Sequence, residues 1–167
     1  MKDIIIIAGS NNKNLEVARE FEKKLIEKNI SCMVLDLISI NLPLYTPTEE
    51  AIGIPKAIFE QIDLFDQAKG FIFVAPEYNG GVPPVVTNLI AWISRSGAAD
   101  WRKSFNGKAA AIASFSGSGG FQALISLRTQ LSYIGLNVIG RQVRATYKES
   151  LNHEDVDAVT SLLVKAI

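Results

Sequence analysis

Three short stretches of this chain gather hydrogen-bond donors and glycines where a plain connection needs neither: GSNNKN (Gly9–Asn14), PEYNGGVPP (Pro76–Pro84) and SFSGSGG (Ser114–Gly120). The first leads into a helical pattern. Unpaired N–H groups and the positive dipole end make a helix N-terminus a place for an anion such as a phosphate. Ser10, Asn12, Lys13 and Asn14 add side-chain donors and one positive charge. Ordinary capping by Asn14 accounts for the same residues equally well. With one glycine and no Gly-Lys-Ser, this loop is neither a dinucleotide fingerprint nor a P-loop. In the second stretch, Gly80 and Gly81 allow torsions and close approach that side chains block, and Pro83 and Pro84 stiffen the exit into a helix. Such a loop can present main-chain groups to the polar edge of a flat heterocycle, with Tyr78 as an aromatic wall. The alternative is a core tyrosine beside two turn glycines. The third stretch is flexible enough to close over the same ligand, but by itself carries little.

The chemistry that is missing narrows the field. His153 is the only histidine and lies outside all three stretches, and Cys32, in an apolar run, is the only cysteine. A Ser-His triad, a clustered His/Cys metal site and a disulfide framework therefore lack parts. Ser118 fails as a nucleophile elbow because Ser116 stands where the earlier glycine is required. No catalytic side chain and no metal is expected. An enzyme built this way is one in which a bound cofactor carries the chemistry.

The elements that must hold these loops alternate along the chain. Short apolar runs predict strands at Ile4–Ser10, Ser31–Leu37, Gly70–Pro76, Lys108–Phe115 and Asn137–Val143. Helical spacing of apolar residues predicts helices over 14–28, 56–67, 84–95, 121–134 and 154–166, the last capped by Asn152. Asn41–Pro55, with three prolines and a glycine, reads as loop. Strand–helix alternation requires right-handed crossovers and a parallel sheet covered on both faces. Ligands of such sheets bind beyond the carboxyl ends of the strands, where the winding reverses. All three donor-rich stretches fall there.

Composition sets outer bounds. The chain has 167 residues, 48% hydrophobic and 20% charged, enough for one globular domain over residues 1–167. Seventeen basic and seventeen acidic side chains cancel, which argues against nucleic acid and anionic membranes as partners. No stretch approaches the roughly 18 apolar residues of a membrane span, so a cytoplasmic protein is expected. On the helix over 84–95, Val85, Val86, Leu89, Ile90, Trp92 and Ile93 cover an arc of roughly 160°, wider than one core contact needs. Either this helix is deeply buried or one flank, with Trp92 and Val85, faces a second subunit.

The segments AGSNNKN, LPLY (Leu42–Tyr45), PEYNGGVPPVVTNLIAWISR and SGSGG resemble the NADPH-dependent FMN reductases, flavodoxin-like proteins that include quinone, chromate and azo-dye reductases. The likeness runs over roughly residues 4–145, and its PEYN-G-x-x-P-x-x-x-x-N-x-I-x-W pattern is specific. It implies a doubly wound five-stranded parallel sheet of order 2-1-3-4-5 with helices on both faces. It implies FMN, with the phosphate at Ser10, Asn12, Lys13 and Asn14 and the ring against Pro76, Glu77, Tyr78, Asn79 and Gly80. Ser116, Gly117 and Gly119 would border the ring or its ribityl chain. It further implies NADPH or NADH as cosubstrate, a small acceptor (quinone, azo compound, chromate or free flavin) and a homodimer or homotetramer. Two departures stand out: Asn12 occupies a position where many members carry arginine, and Ala91 replaces a common aspartate. A flavodoxin-like electron carrier and a non-catalytic FMN-binding protein are the alternatives, although carriers tend to be acidic and this chain is neutral.

Overall fold

Ile4–Ile7 alternate their side chains between two cores, and the whole architecture follows from that alternation. In the computed structural model, which describes residues 2–95 and 100–167, β1 (Ile4–Ala8) is buried at every position. It lies between β2 (Cys32–Asp36) and β3 (Gly70–Val74), and β4 (Ala109–Phe115) and β5 (Asn137–Val138) follow, giving the order β2-β1-β3-β4-β5 with every pairing parallel. Ile5, Ile7, Phe71, Phe73 and Ile112 face one core, closed by α4 (Lys56–Gln67), α5 (Pro84–Arg95) and α6 (Phe121–Tyr133). Ile4, Ile6, Ile72 and Val74 face the other, closed by α1 (Lys13–Glu27) and α7 (His153–Val164). A strand buried on both faces is apolar along its length, as β1 and β3 are and as β4 is up to Ser114. The expected doubly wound sheet is the one observed. No helix among the described residues is long and apolar enough to cross a membrane.

The fifth strand departs from expectation. Instead of one strand over 137–143 there are two pieces, β5 (Asn137–Val138) and β6 (Val143–Ala145), both paired with β4. Between them β4 advances three residues and the edge chain five. The outward loop leaves carbonyls unpaired, and Arg128 of α6 satisfies them, donating to Val138, Ile139 and Gly140 at 3.3, 2.9 and 3.2 Å. Gly140 marks the interruption, as glycine in a strand often does.

The proline-rich segment after β2 also holds more structure than a loop. A short turn, α2 (Leu37–Ile40), is followed by α3 (Pro47–Ile52), whose N-cap Thr46 accepts from the Glu49 N–H at 3.0 Å. Thr-Pro-Thr-Glu is an N-cap, a proline at N1 and an acid at N3, a start signal that the density of prolines obscures.

The helix α5 fixes this segment to the core. Asn88 accepts from the Tyr45 N–H at 2.7 Å and donates to the Pro43 carbonyl at 2.9 Å, and Trp92, four residues on, donates to the same carbonyl at 2.8 Å. Tyr45 stands edge-on to the Trp92 ring with centroids 5.2 Å apart. The Asn and Trp of the N-x-I-x-W pattern are therefore a clamp on LPLY. Trp92 is fully buried within one chain and Val85 is half-buried. This corrects the placement of Trp92 on an outer flank: the wide apolar arc serves a deeply packed helix. Close packing also explains Gly9, where an added Cβ would lie 2.7 Å from Val86 Cγ2.

Two substitutions test this packing. Gly9→Ala should lower stability by about 1–3 kcal/mol through overpacking, read from urea unfolding. Trp92→Glu should abolish the folded state, seen by circular dichroism, instead of releasing folded monomers, because an unpaired carboxylate would replace a buried indole.

Candidate functional site

The parallel register brings the ends of three strands level. Ala8 pairs with Val74 and Val74 with Ala113, so the loops after β1, β3 and β4 leave the sheet side by side. The first continues the sheet for one bond, Gly9 N–H to the Val74 carbonyl at 2.8 Å, before turning into α1. Ser10 is buried, with its hydroxyl 3.2 Å from the Asn11 carbonyl oxygen. Lys13 is paired with Glu16 at 2.8 Å, both exposed. Asn14 is buried, and its side chain is turned to β4: it donates to the Phe115 carbonyl and accepts from the Phe115 N–H, each at 2.9 Å. Its amide ties the start of α1 to the end of β4, so toward a ligand it offers its main-chain N–H. The amides of residues 13–15 have no acceptor within the helix, as at any N-terminus.

The loop after β3 is a tight hairpin. Tyr78 and Gly81 exchange both main-chain bonds, at 3.1 and 2.9 Å, across Asn79 (φ 51°) and Gly80 (φ 77°). Two positive φ values across an Asn-Gly pair are the signature of a type I′ turn. Nothing lies within 4 Å of a Cβ built on Gly80, so glycine is required there by torsion and not by crowding.

One carboxylate locks this hairpin to the third loop. Glu77 accepts from the Ser118 hydroxyl at 2.7 Å and from the N–H groups of Gln122 and Ala123 at 2.9 and 3.1 Å. Its own N–H donates to the Ser116 hydroxyl at 2.7 Å, which pairs with the buried Ser114 hydroxyl at 2.9 Å. Glu77 thus supplies the cap that Gly120, at φ 68°, does not give α6. Those donors, the Ser118 hydroxyl first and the helix amides after it, hold the Glu77 carboxyl below its ordinary range against the opposing effect of burial. The Gly119 carbonyl is held by Arg144 Nε at 2.8 Å, and a Cβ on Gly120 would collide with the Ser114 hydroxyl.

Between the loops lies a cleft of about 250 Å³ lined by Ser10, Asn12, Lys13, Asn14, Pro76, Glu77, Tyr78, Ser116 and Gly117, joined by Asn11, Phe115 and Tyr147. Nine of the twelve residues expected from sequence therefore share one wall. Asn79, Gly80 and Gly119 lie off it and shape the turns that carry it. Asn11, Phe115 and Tyr147 are additions. Tyr147 follows the broken fifth strand, and its position beyond a strand's carboxyl end was the available signal. The cleft suits an organic phosphate ester joined to a flat ring: its helix-terminal amides are donors, and the Glu77 charge is spent on α6. Its one cation, Lys13, is shared with exposed Glu16 in a surface ion pair.

Comparison with known proteins decides the family. Residues 2–149 match the family model described as NADPH-dependent FMN reductase. The chain belongs to that family. An NAD(P)H-dependent FMN reductase of Saccharomyces cerevisiae is 29% identical over 72% of this chain and 64% of its own length. A quinone reductase of Pseudomonas putida is 31% identical over 80% of this chain and 71% of its own. In three dimensions the fold superposes on a flavoenzyme NAD(P)H:(acceptor) oxidoreductase of Paracoccus denitrificans with a TM-score of 0.77 over 99% of both chains, at 20% identity. It also superposes on an archaeal flavodoxin with a TM-score of 0.67 over 99% of this chain and 96% of that one. This FMN reductase family member is accordingly an oxidoreductase with FMN as cofactor and NAD(P)H as reductant.

The Glu77 latch has a pH signature. Because its folded pKa is depressed, its stabilisation is fully present above the ordinary carboxylate range and is lost as pH falls through the folded value. Glu77→Ala should lower stability by about 1 kcal/mol near neutral pH, as loss of a helix cap does. The difference from wild type should shrink in urea titrations repeated at progressively lower pH.

Proposed function

We propose that this cleft holds FMN, with its phosphate at the first turn of α1 and its ring against the hairpin, and that the protein passes hydride from NAD(P)H to a small acceptor such as a quinone, azo compound, chromate or free flavin. The observation that carries this reading is the convergence of donors from three loops on one cleft from which the nearest carboxylate, Glu77, is withdrawn. When bound, FMN supplies the electron-carrying chemistry. The chain's own residues bind and position. The free N–H groups of residues 13–15 and the Ser10 hydroxyl hold the phosphate, Pro76–Tyr78 give a stiff wall, and Ser116–Gly117 close the opposite side. Hydride transfer asks for alignment more than for a general base, which fits a cleft without histidine. A quinone acceptor is supported by the Pseudomonas putida relative. A homodimer or homotetramer is part of this reading. With Trp92 turned inward, exposed Ile52 and Phe59 on α3 and α4 are among the apolar side chains offered to it, and light scattering of the purified protein should give a mass at least twice that of one chain.

Phosphate affinity resting on neutral donors should be modest, since charge-assisted bonds are about twice as strong. Asn12 adopts φ 57°, ψ −128°, where any β-carbon is strained, so an added arginine belongs instead at exposed Asn11 on the same wall. Asn11→Arg should tighten FMN about tenfold in a flavin-fluorescence titration of the apoprotein. Unchanged binding would place the phosphate elsewhere. Gly80→Val should reduce flavin content while leaving the sheet folded. Gly53 does not serve as a control, because at φ 133° it is itself torsionally constrained. Gly140 has open space and no such torsion, so Gly140→Val should retain flavin.

A further inference from the structure

The larger of two adjoining cavities has no part in the reading above. A groove of about 570 Å³ runs between α1 and the segment that joins β6 to α7, and Lys13, Phe115 and Tyr147 line both it and the smaller cleft. Pockets for cofactors span about 300–1,000 Å³. The groove falls inside that range, while the cleft of about 250 Å³ falls below it. The hairpin residues Pro76–Tyr78 line only the cleft. The groove therefore extends the cleft from the side of the helix terminus, where a phosphate would lie, and not from the side of the ring.

Its lining combines a stacking surface with paired charges. Tyr147 is 79% exposed and stands edge-on to Phe115, centroids 5.0 Å apart at 84°. Half-buried Leu151 gives apolar surface beside it, over the buried Val17. Lys13 and Arg19 stand on the α1 wall, paired only with exposed or half-exposed Glu16 and Glu22, and such surface pairs contribute little, so either cation is free to exchange its partner for a phosphate. Glu20, with its carboxylate 3.2 Å from His153 Nδ1, adds an acceptor for an exocyclic amine.

We propose that this groove receives an adenine-nucleotide moiety, its base stacked at Tyr147 and its phosphate toward Lys13 and Arg19 on the α1 wall. The inference rests on the cleft being the flavin-phosphate site. Two molecules could bring that moiety: flavin adenine dinucleotide, continuing from the cleft through its diphosphate, or NAD(P)H by its nucleotide half.

Calorimetric titrations of AMP, FMN, FAD and NADP⁺ into wild type and Ser150→Trp test it. Ser150 is exposed and lines the groove but not the cleft, so an indole there fills the groove and spares the core. AMP should bind the wild-type protein loaded with FMN and weaken at least about fivefold in Ser150→Trp, with FMN affinity held within about twofold. Parallel weakening of FAD, with AMP displacing FAD and not FMN, assigns the moiety to the flavin. Parallel weakening of NADP⁺, with AMP competing against NADPH in turnover, assigns it to the reductant. A second variant on the opposite wall, Arg19→Glu, should weaken AMP and leave adenosine, which lacks the phosphate, unchanged. No AMP binding at millimolar concentration, or equal affinities for AMP, FAD and NADP⁺ in wild type and Ser150→Trp, overturns the groove assignment. AMP binding without FMN binding overturns the cleft reading instead.

Discussion

Glu77 makes the site one object. Its carboxylate caps a helix that begins 44 residues later, its N–H reaches the fourth-strand loop, and the two together fix the hairpin against that loop. A carboxylate at a helix N-terminus is favoured by the unpaired amides and by the dipole. The same bonds turn the only acid on the cleft wall inward, and so leave that wall hospitable to another anion. Asn14 does the corresponding work between the first loop and β4. Three loops that would otherwise move independently are tied by two side chains, neither of which has to touch the reacting atoms.

The sheet and the gross position of the site were legible because their signals are local. Buried parallel strands need uninterrupted apolar runs, and donor-rich loops at their carboxyl ends stand out against them. The helices over 56–67 and 84–95 were read to the residue. What escaped reading was whatever depends on partners distant in sequence. Trp92 looks the same in a list of apolar residues whether its ring meets another subunit or the Pro43 carbonyl, and only the return of LPLY to α5 decides between them. The split of the fifth strand depends on Arg128, nine residues upstream and on another element. Asn14 was read as a donor to a ligand because nothing in its neighbourhood reveals Phe115, 101 residues away.

The family pattern gains a physical meaning from the same contacts. Of its motif residues, Asn88 and Trp92 hold a loop, Asn79 and Gly80 make a turn, and Glu77 caps a helix. Much of a sequence signature associated with a cofactor is thus concerned with the frame that shapes the cleft. Pattern matching finds such a site well and assigns the direct contacts within it poorly.

The interrupted fifth strand also bears on how this molecule behaves among its neighbours. An open sheet ends in a row of unpaired N–H and C=O groups, and a long straight edge is a template on which another chain can add a strand. Here that border is broken into pieces of two and three residues, and the carbonyls between them are occupied by the Arg128 guanidinium. An incoming strand would find neither a continuous register nor free acceptors. The bulge that disfigures the ideal topology serves as a guard against strand addition at this edge of the sheet.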